Sequence, residues 1–282
     1  DLLKDWEKEN DCKVNLTVIP WDKYEETYTT ALNSGEGPDV GYMYNEMFPT
    51  YIDAGAVEDM SSYITDEDKK EYKYLDNGNM LDGQYGWPLV TGVPFVLYYN
   101  EDILNALGEK APETWDDFTR ICQEATKDTD GDGKIDQYGF ACGMNTSDIG
   151  AMQILNAYYY SALWQNGGQI YNDDMKSVSF ADEAGKEAVT WLKGITSYMN
   201  EDFMSLSWSD AFSNVFGAGN AAFGITRSSQ TDGTTFAETY PDLNWDFVTS
   251  LKNKDFGTFG ATDSLTLMSA CEDKDLAMDF IK

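Results

Sequence analysis

The chain has no histidine and only two arginines, Arg120 and Arg227, among 282 residues. Without an imidazole neither a Ser-His-Asp nor a Cys-His nucleophile can be assembled, and a catalytic zinc loses its commonest ligand. Basic residues are scarce as a whole: 19 Lys plus Arg face 50 Asp plus Glu, a formal charge of −31. That sign repels phosphate backbones and anionic membranes, which excludes nucleic acid as a partner. It is equally the ordinary device for solubility. No apolar run approaches the ~20 residues of a membrane-spanning helix, and no signal peptide opens the sequence. The four cysteines, Cys12, Cys122, Cys142 and Cys271, form no CxxC pair and stand singly in apparent core elements, as buried thiols do. A Cys122–Cys142 bridge from a helix to the next strand stays open, since spacing alone cannot show disulfide geometry.

What is present can build real cores: 42% of residues are hydrophobic and 14% aromatic, over a length that suits two ordinary domains. Val14, Leu16 and Val18 alternate as a strand, and Tyr24, Tyr28, Ala31 and Leu32 recur at helical spacing up to Ser34 and Gly35. A strand over 38–43 follows, with more at 138–142, 221–225, 245–249 and 264–268, and helices near 184–199, 208–216 and 273–282. Such alternation predicts an α/β protein with parallel sheets. No repeat, low-complexity tract or Ser/Pro-rich linker separates two halves.

The most informative stretch is 85–118, YGWPLVTGVPFVLYYNEDILNALGEKAPETWDDF. Phe95 to Tyr99 reads as a buried strand. After Pro112, Thr114 is placed to cap a helix with Asp117 as its acidic reciprocal, and Trp115, Phe118, Ile121, Cys122 and Ala125 share one helical face. Tyr98, Trp115 and Phe118 are expected in the core, as are Trp164 and Trp191. Trp87, in a Gly/Pro-rich approach to the strand, is expected at the surface as a ligand contact.

GEGPDV at 35–40, YGWP at 85–88, LYYNEDIL at 97–104, PETWDDF at 112–118, QYGF at 137–140, NGG at 166–168 and FGAGNAAFGI at 216–225 follow one another in an order that resembles the extracellular solute-binding proteins of sugar ABC transporters, the maltose-binding-protein-like family. The resemblance covers nearly the whole chain. It implies a two-lobe periplasmic-binding-protein-like α/β fold with interleaved lobes and a central ligand cleft, apparently lacking its N-terminal strand and C-terminal helices. Crossings near Asn100 and Val248 give one lobe of 1–99 plus 249–282 and another of 100–248. Hinge closure follows from that layout. The implied partners are a carbohydrate and an ABC transporter permease. The protein is expected to be a monomer, outside the cell as a Gram-positive lipoprotein or in a periplasm, with any leader upstream of Asp1.

Sugars are held by stacking on aromatic rings while carboxylates, amides and arginines bond their hydroxyls. Tyr44, Asn45 and Glu46 stand just past strand 38–43, where the resemblance places an aromatic and an acid in the cleft, and Trp21 follows the preceding strand toward the same edge. Across the cleft the resemblance points to Asn145 and Asp148 and to the turn after strand 221–225. That turn reads Thr226, Arg227, Ser228, Ser229, where maltose-binding relatives often carry a stacking tryptophan. Two readings of Arg227 stay open: a surface ion pair on an acidic protein, or a cleft cation that takes a ligand carboxylate such as that of a uronic-acid oligosaccharide. Thr262 and Asp263 are further candidates from the first lobe.

DTDGDGKID at 128–136 puts Asp128, Asp130, Asp132 and Asp136 at positions one, three, five and nine of a calcium loop, Gly133 at the sharp-turn sixth and the Lys134 carbonyl at the seventh. Position twelve is Gly139 instead of a bidentate glutamate, and a strand replaces the second helix. A structural calcium is expected there, because four close carboxylates repel one another without a cation; no cofactor for catalysis is expected. Two other functions compete with solute binding. One is a carbohydrate-active enzyme with paired carboxylates about 5–9 Å apart, and the other is a calcium-dependent interaction protein.

Overall fold

The computed structural model describes residues 2–20, 23–35, 37–81, 83–145, 150–172, 176–228 and 234–282. The chain divides into two compact units, Asp1–Gly92 with Ala261–Lys282, and Val93–Gly260. Both crossings therefore differ from those placed at Asn100 and Val248. Phe95, Val96, Leu97 and Tyr98 are already core of the second unit. At the other crossing, Leu251 is buried in that core, Lys252 N–H bonds Glu113 O at 2.9 Å and Lys254 N–H bonds Gln165 O at 2.9 Å. These contacts hold residues 249–260 to the second unit.

In the first unit α1 (Leu2–Glu9) packs the Trp6 ring edge-on to Phe280 at 5.0 Å. Residues 12–20 carry the expected alternation but form no strand, with Leu16 76% and Val18 82% exposed. Alternation makes a strand only where a second strand takes up its N–H and C=O groups in register; here Cys12 N–H and Val14 N–H instead bond Glu7, at its carbonyl and its Oε1, and no strand pairs with 12–20 among the described residues. Helix α2 (Tyr24–Ser34) ends at Gly35, whose φ of 72° is the left-handed cap that glycine adopts without strain. Its Tyr24 and Tyr28 pack on Met43, Met47, Phe48 and Tyr51, from β1 (Val40–Tyr44), the turn after it and α3 (Phe48–Asp53). The short α4 (Asp68–Glu71) and the hairpin of β2 (Asn79–Met80) and β3 (Gly83–Gln84) lead to β4, one 14-residue strand from Trp87 to Asn100.

The second unit begins within β4. Asn100 caps α5 (Glu101–Leu107) by accepting from the N–H groups of Asp102 and Ile103. In α6 (Trp115–Ala125) the expected capping box is complete: Thr114 Oγ1 accepts from Asp117 N–H and Asp117 Oδ2 accepts from Thr114 N–H, each at 3.1 Å. The predicted apolar face of α6 is buried, and Trp115 stacks on Trp191 at 4.1 Å. There follow β5 (Tyr138–Ala141), α7 (Gly150–Ile154), which widens over 155–160 before α8 (Ser161–Gln165), and α9 (Glu183–Ile195). Next come α10 (Trp208–Ala211), β6 (Ala221–Arg227), α11 (Thr234–Thr239) and β7 (Trp245–Val248). Strand β6 runs antiparallel to β4 and parallel to β5, and β7 pairs antiparallel with β4.

Back in the first unit, β8 (Gly260–Leu267) pairs antiparallel with β1, and α12 (Lys274–Ile281) closes the chain. The sheets are thus mixed, not parallel as expected. A helical crossover enforces parallel pairing only between the strands it joins, whereas β8 reaches β1 after the entire second unit has intervened. All four cysteines are free thiols, so the Cys122–Cys142 bridge does not form.

Candidate ligand-binding site

In the first unit, antiparallel pairing brings the end of β1 to the start of β8, with Tyr44 opposite Asp263. Alternation along β1 turns Gly41 and Met43 into the core and leaves Tyr42 and Tyr44 half-buried on the other face. Tyr42 donates its hydroxyl to Asp263 Oδ2 at 2.5 Å, and Tyr44 donates to Glu25. Burial first, and then these carboxylate neighbours, push both phenols above their usual range. Each stays a protonated donor at neutral pH.

Asn45 donates from Nδ2 to Asn77 O at 3.4 Å, and Asn77 donates to Thr262 Oγ1 at 3.4 Å. Asn45 Oδ1 is buried with no donor among the described residues, as is Ser264 Oγ. Such a buried acceptor is costly unless something supplies its hydrogen bond. Glu46 is exposed beside it. The structure therefore gathers Tyr44, Asn45, Thr262 and Asp263 at one strand end, with Glu46 adjoining.

Trp87 is a correction. Its ring is 2% exposed and lies among Leu75, Leu267, Met278 and Ile281, with Tyr72 edge-on at 4.8 Å. The Gly/Pro approach does bend the chain, but the first side chain of β4 points inward, so Trp87 is core. Trp21 and Asp148 lie outside the described residues, as does Ser229 of the turn.

In the second unit Arg227 ends β6 directly opposite Phe95. Its guanidinium sits over the Phe95 ring at 5.4 Å, and Nη2 donates to Gln153 Oε1 at 3.1 Å. Among the described residues no carboxylate pairs with it, and its buried Nε lacks an acceptor. Arg120, by contrast, is ringed by Glu109, Asp117 and Glu124 on the surface. Trp208 packs nearly perpendicular to Phe95, with ring centroids 5.7 Å apart. Asn145 is tied down, its N–H to Leu206 O at 2.9 Å and its Nδ2 to Ser205 O at 3.1 Å.

Sequence reading missed Tyr42, Asn77, Phe95, Gln153 and Trp208 as neighbours of these groups. Tyr42 was within reach, since it shares a strand face with Tyr44 two residues on; Gln153 carries no local signal, because only the fold brings it to β6. An apolar cavity of about 50 Å³ among Leu97, Phe118, Phe140, Tyr158, Ala162 and Ile195 is a packing defect of the second core, far too small for a sugar.

In the Asp-rich loop, oxygens of Asp128, Asp130 and Asp136 lie within 4.8 Å of one another. Asp132 stands outside that group and accepts from Lys134 N–H at 2.8 Å. Gly131 and Gly133 have φ of 81° and 91°, a conformation L side chains avoid. Backbone N–H groups of Gly133 and Gly131 hold Asp128 below the usual carboxylate range, and the Thr129 hydroxyl and N–H do so for Asp136. A Cβ on Gly139 would lie 2.5 Å from Cys122 O, so strand packing forbids a glutamate at the twelfth position. The donor set that remains, three hard carboxylates, fits a calcium ion by its chemistry.

Residues 1–282 all match the family described as bacterial extracellular solute-binding protein, and the chain belongs to that family. A binding protein of Brucella abortus is 26% identical over 300 residues, covering 100% of this chain and 67% of that protein. The diacetylchitobiose binding protein of Streptomyces coelicolor is 30% identical over 132 residues, 46% of this chain and 31% of its own. Among solved structures, an ABC substrate-binding protein from Listeria monocytogenes in complex with cycloalternan superposes with a TM-score of 0.73 at 22% identity, covering 99% of this chain and 70% of that one. The fold is thus the two-lobe α/β fold of ABC-transporter solute-binding proteins. These family members and neighbours are binding proteins, not enzymes. Among the described residues no helix is long and apolar enough to cross a membrane.

Proposed function

We propose that this chain is the substrate-binding subunit of an ABC importer, which captures an extracellular carbohydrate, an oligosaccharide, by closing its units on it and delivers it to a membrane permease. It acts as a monomer outside the cell, lipid-anchored or periplasmic. The observation that carries this reading is the cluster at the end of β1. Two half-buried phenols, a carboxylate and an amide with an unpartnered buried oxygen offer the mixture of aromatic faces, donors and acceptors that a sugar's hydroxyls and apolar faces require. The sugars named for the Streptomyces and Listeria proteins support the ligand class. The reading includes a structural calcium at Asp128, Asp130 and Asp136, supported by their convergence.

The test is a thermal-shift screen against neutral and acidic oligosaccharides, with product analysis on each. A ligand that binds only the folded state at a hundred times its Kd stabilises it by about 2.7 kcal/mol. A selective rise without turnover is expected. No rise with any sugar, or turnover of one, overturns the reading.

A further inference from the structure

Arg227 differs from the other arginine of this chain in what surrounds it. On a chain of net charge −31, the other arginine has three carboxylates around it. Arg227 has none among the described residues. Gln153 Oε1 takes one of its five N–H groups, and that glutamine is itself only 4% exposed. The Phe95 face holds the guanidinium plane at 5.4 Å, and Phe95 is 2% exposed. The side chain is therefore fixed by a neutral amide and a ring, neither of which neutralises it, while Nε is buried with no acceptor. An acidic surface offers no shortage of partners for a cation that merely needs one. A planar donor fork held in place, still charged and short of acceptors, is what bidentate carboxylate recognition requires. Trp208, half-buried with its ring centroid 5.7 Å from that of Phe95 and nearly perpendicular to it, adds an apolar surface for a sugar ring next to Phe95.

Resting on the sugar-binding reading, we propose that the ligand carries a carboxylate, a uronic-acid-containing oligosaccharide, and that Arg227 receives this group. A single guanidinium matches one carboxylate. A phosphate dianion asks for more positive charge than the described residues bring to this strand end.

The experiment is isothermal titration of the protein with oligouronides, each paired with its carboxyl-reduced neutral counterpart, alongside neutral oligosaccharides and sugar phosphates. Charge-assisted hydrogen bonds place the loss on carboxyl reduction at roughly tenfold to a hundredfold in Kd. R227Q should show the same loss for the oligouronide and none for its reduced form, with R227K between R227Q and the parent. Should R227Q not fold, the paired ligands decide on the parent protein alone. Equal affinity for a uronide and its reduced form, or R227Q binding the uronide like the parent, overturns the proposal. Neutral sugars or sugar phosphates binding while no uronide does overturns it and leaves the sugar-binding reading standing; binding of no glycan at all overturns both.

Discussion

Replacing Gly143 with alanine tests how the second unit holds the segment after β5 against residues 203–207. A Cβ at Gly143 would lie 2.0 Å from Ser207 O and 2.4 Å from Ser207 C, both backbone atoms that cannot rotate away. The two segments must separate by about 1 Å or more to restore ordinary contact. Three hydrogen bonds clip them together: Met144 N–H to Phe203 O at 2.7 Å, Asn145 N–H to Leu206 O at 2.9 Å, and Asn145 Nδ2 to Ser205 O at 3.1 Å. With overpacking at ~1–3 kcal/mol and each weakened bond at up to ~1 kcal/mol, G143A should destabilise by about 3 kcal/mol. For a unit of this size that lowers Tm by roughly 6–12 °C. Because Ser207 caps α10 and Trp208 opens it, the same change should weaken sugar binding. The internal control is Gly194 in α9, where a Cβ meets nothing within 4 Å; G194A should stabilise by up to about 1 kcal/mol through helix propensity. Calorimetric melts of the three proteins decide the matter. A G143A melt within about 2 °C of the parent, with G194A behaving as stated, would refute the argument that this close approach positions the loop.

T114A, which removes the α6 cap, should cost about 1 kcal/mol in urea unfolding. The Asp117 carboxyl is held below its usual range, first by the Thr114 hydroxyl, so the folded state takes up its proton less readily than the unfolded state does. Its contribution is therefore full above the unfolded pKa of about 3.9 and is lost as pH falls through the lowered folded value. In D117N the decline between neutral and acid pH should be shallower than in the parent, and an unchanged pH profile would contradict the capping role. Millimolar calcium should raise Tm in the parent and not in D128N, and equal shifts in both would remove the ion from this loop. Under native conditions a thiol reagent should modify Cys12 first, because Cys122 is fully buried and burial pushes the Cys142 thiol up to about 12. Labelling of all four at one rate would contradict the packing.

Local signals carried much of the fold. The Thr114–Asp117 pattern needs only residues three apart to meet, so the capped helix was legible with its buried face. The strands at 221–225 and 245–249 were legible for the same reason, since apolar runs between turn residues have few alternatives. Alternation failed at Val14, Leu16 and Val18, because a strand's hydrogen bonds come from a partner that lies elsewhere in the chain. Composition likewise showed an acidic, histidine-free chain, and residue spacing showed a loop able to gather carboxylates. Which of those carboxylates converge was decided by the turns at Gly131 and Gly133.

The site divides in the same way. Motif order along the chain determined the family, and residue type determined that Tyr44, Asn45 and Asp263 could bond a sugar. Only tertiary structure set Tyr44 opposite Asp263 across some two hundred residues, turned Trp87 into the core, and placed Gln153 and Phe95, with no carboxylate among the described residues, around Arg227. The physical reason is that helix and turn propensities act over a few residues, whereas burial and strand register are properties of pairs that meet only once the chain has folded.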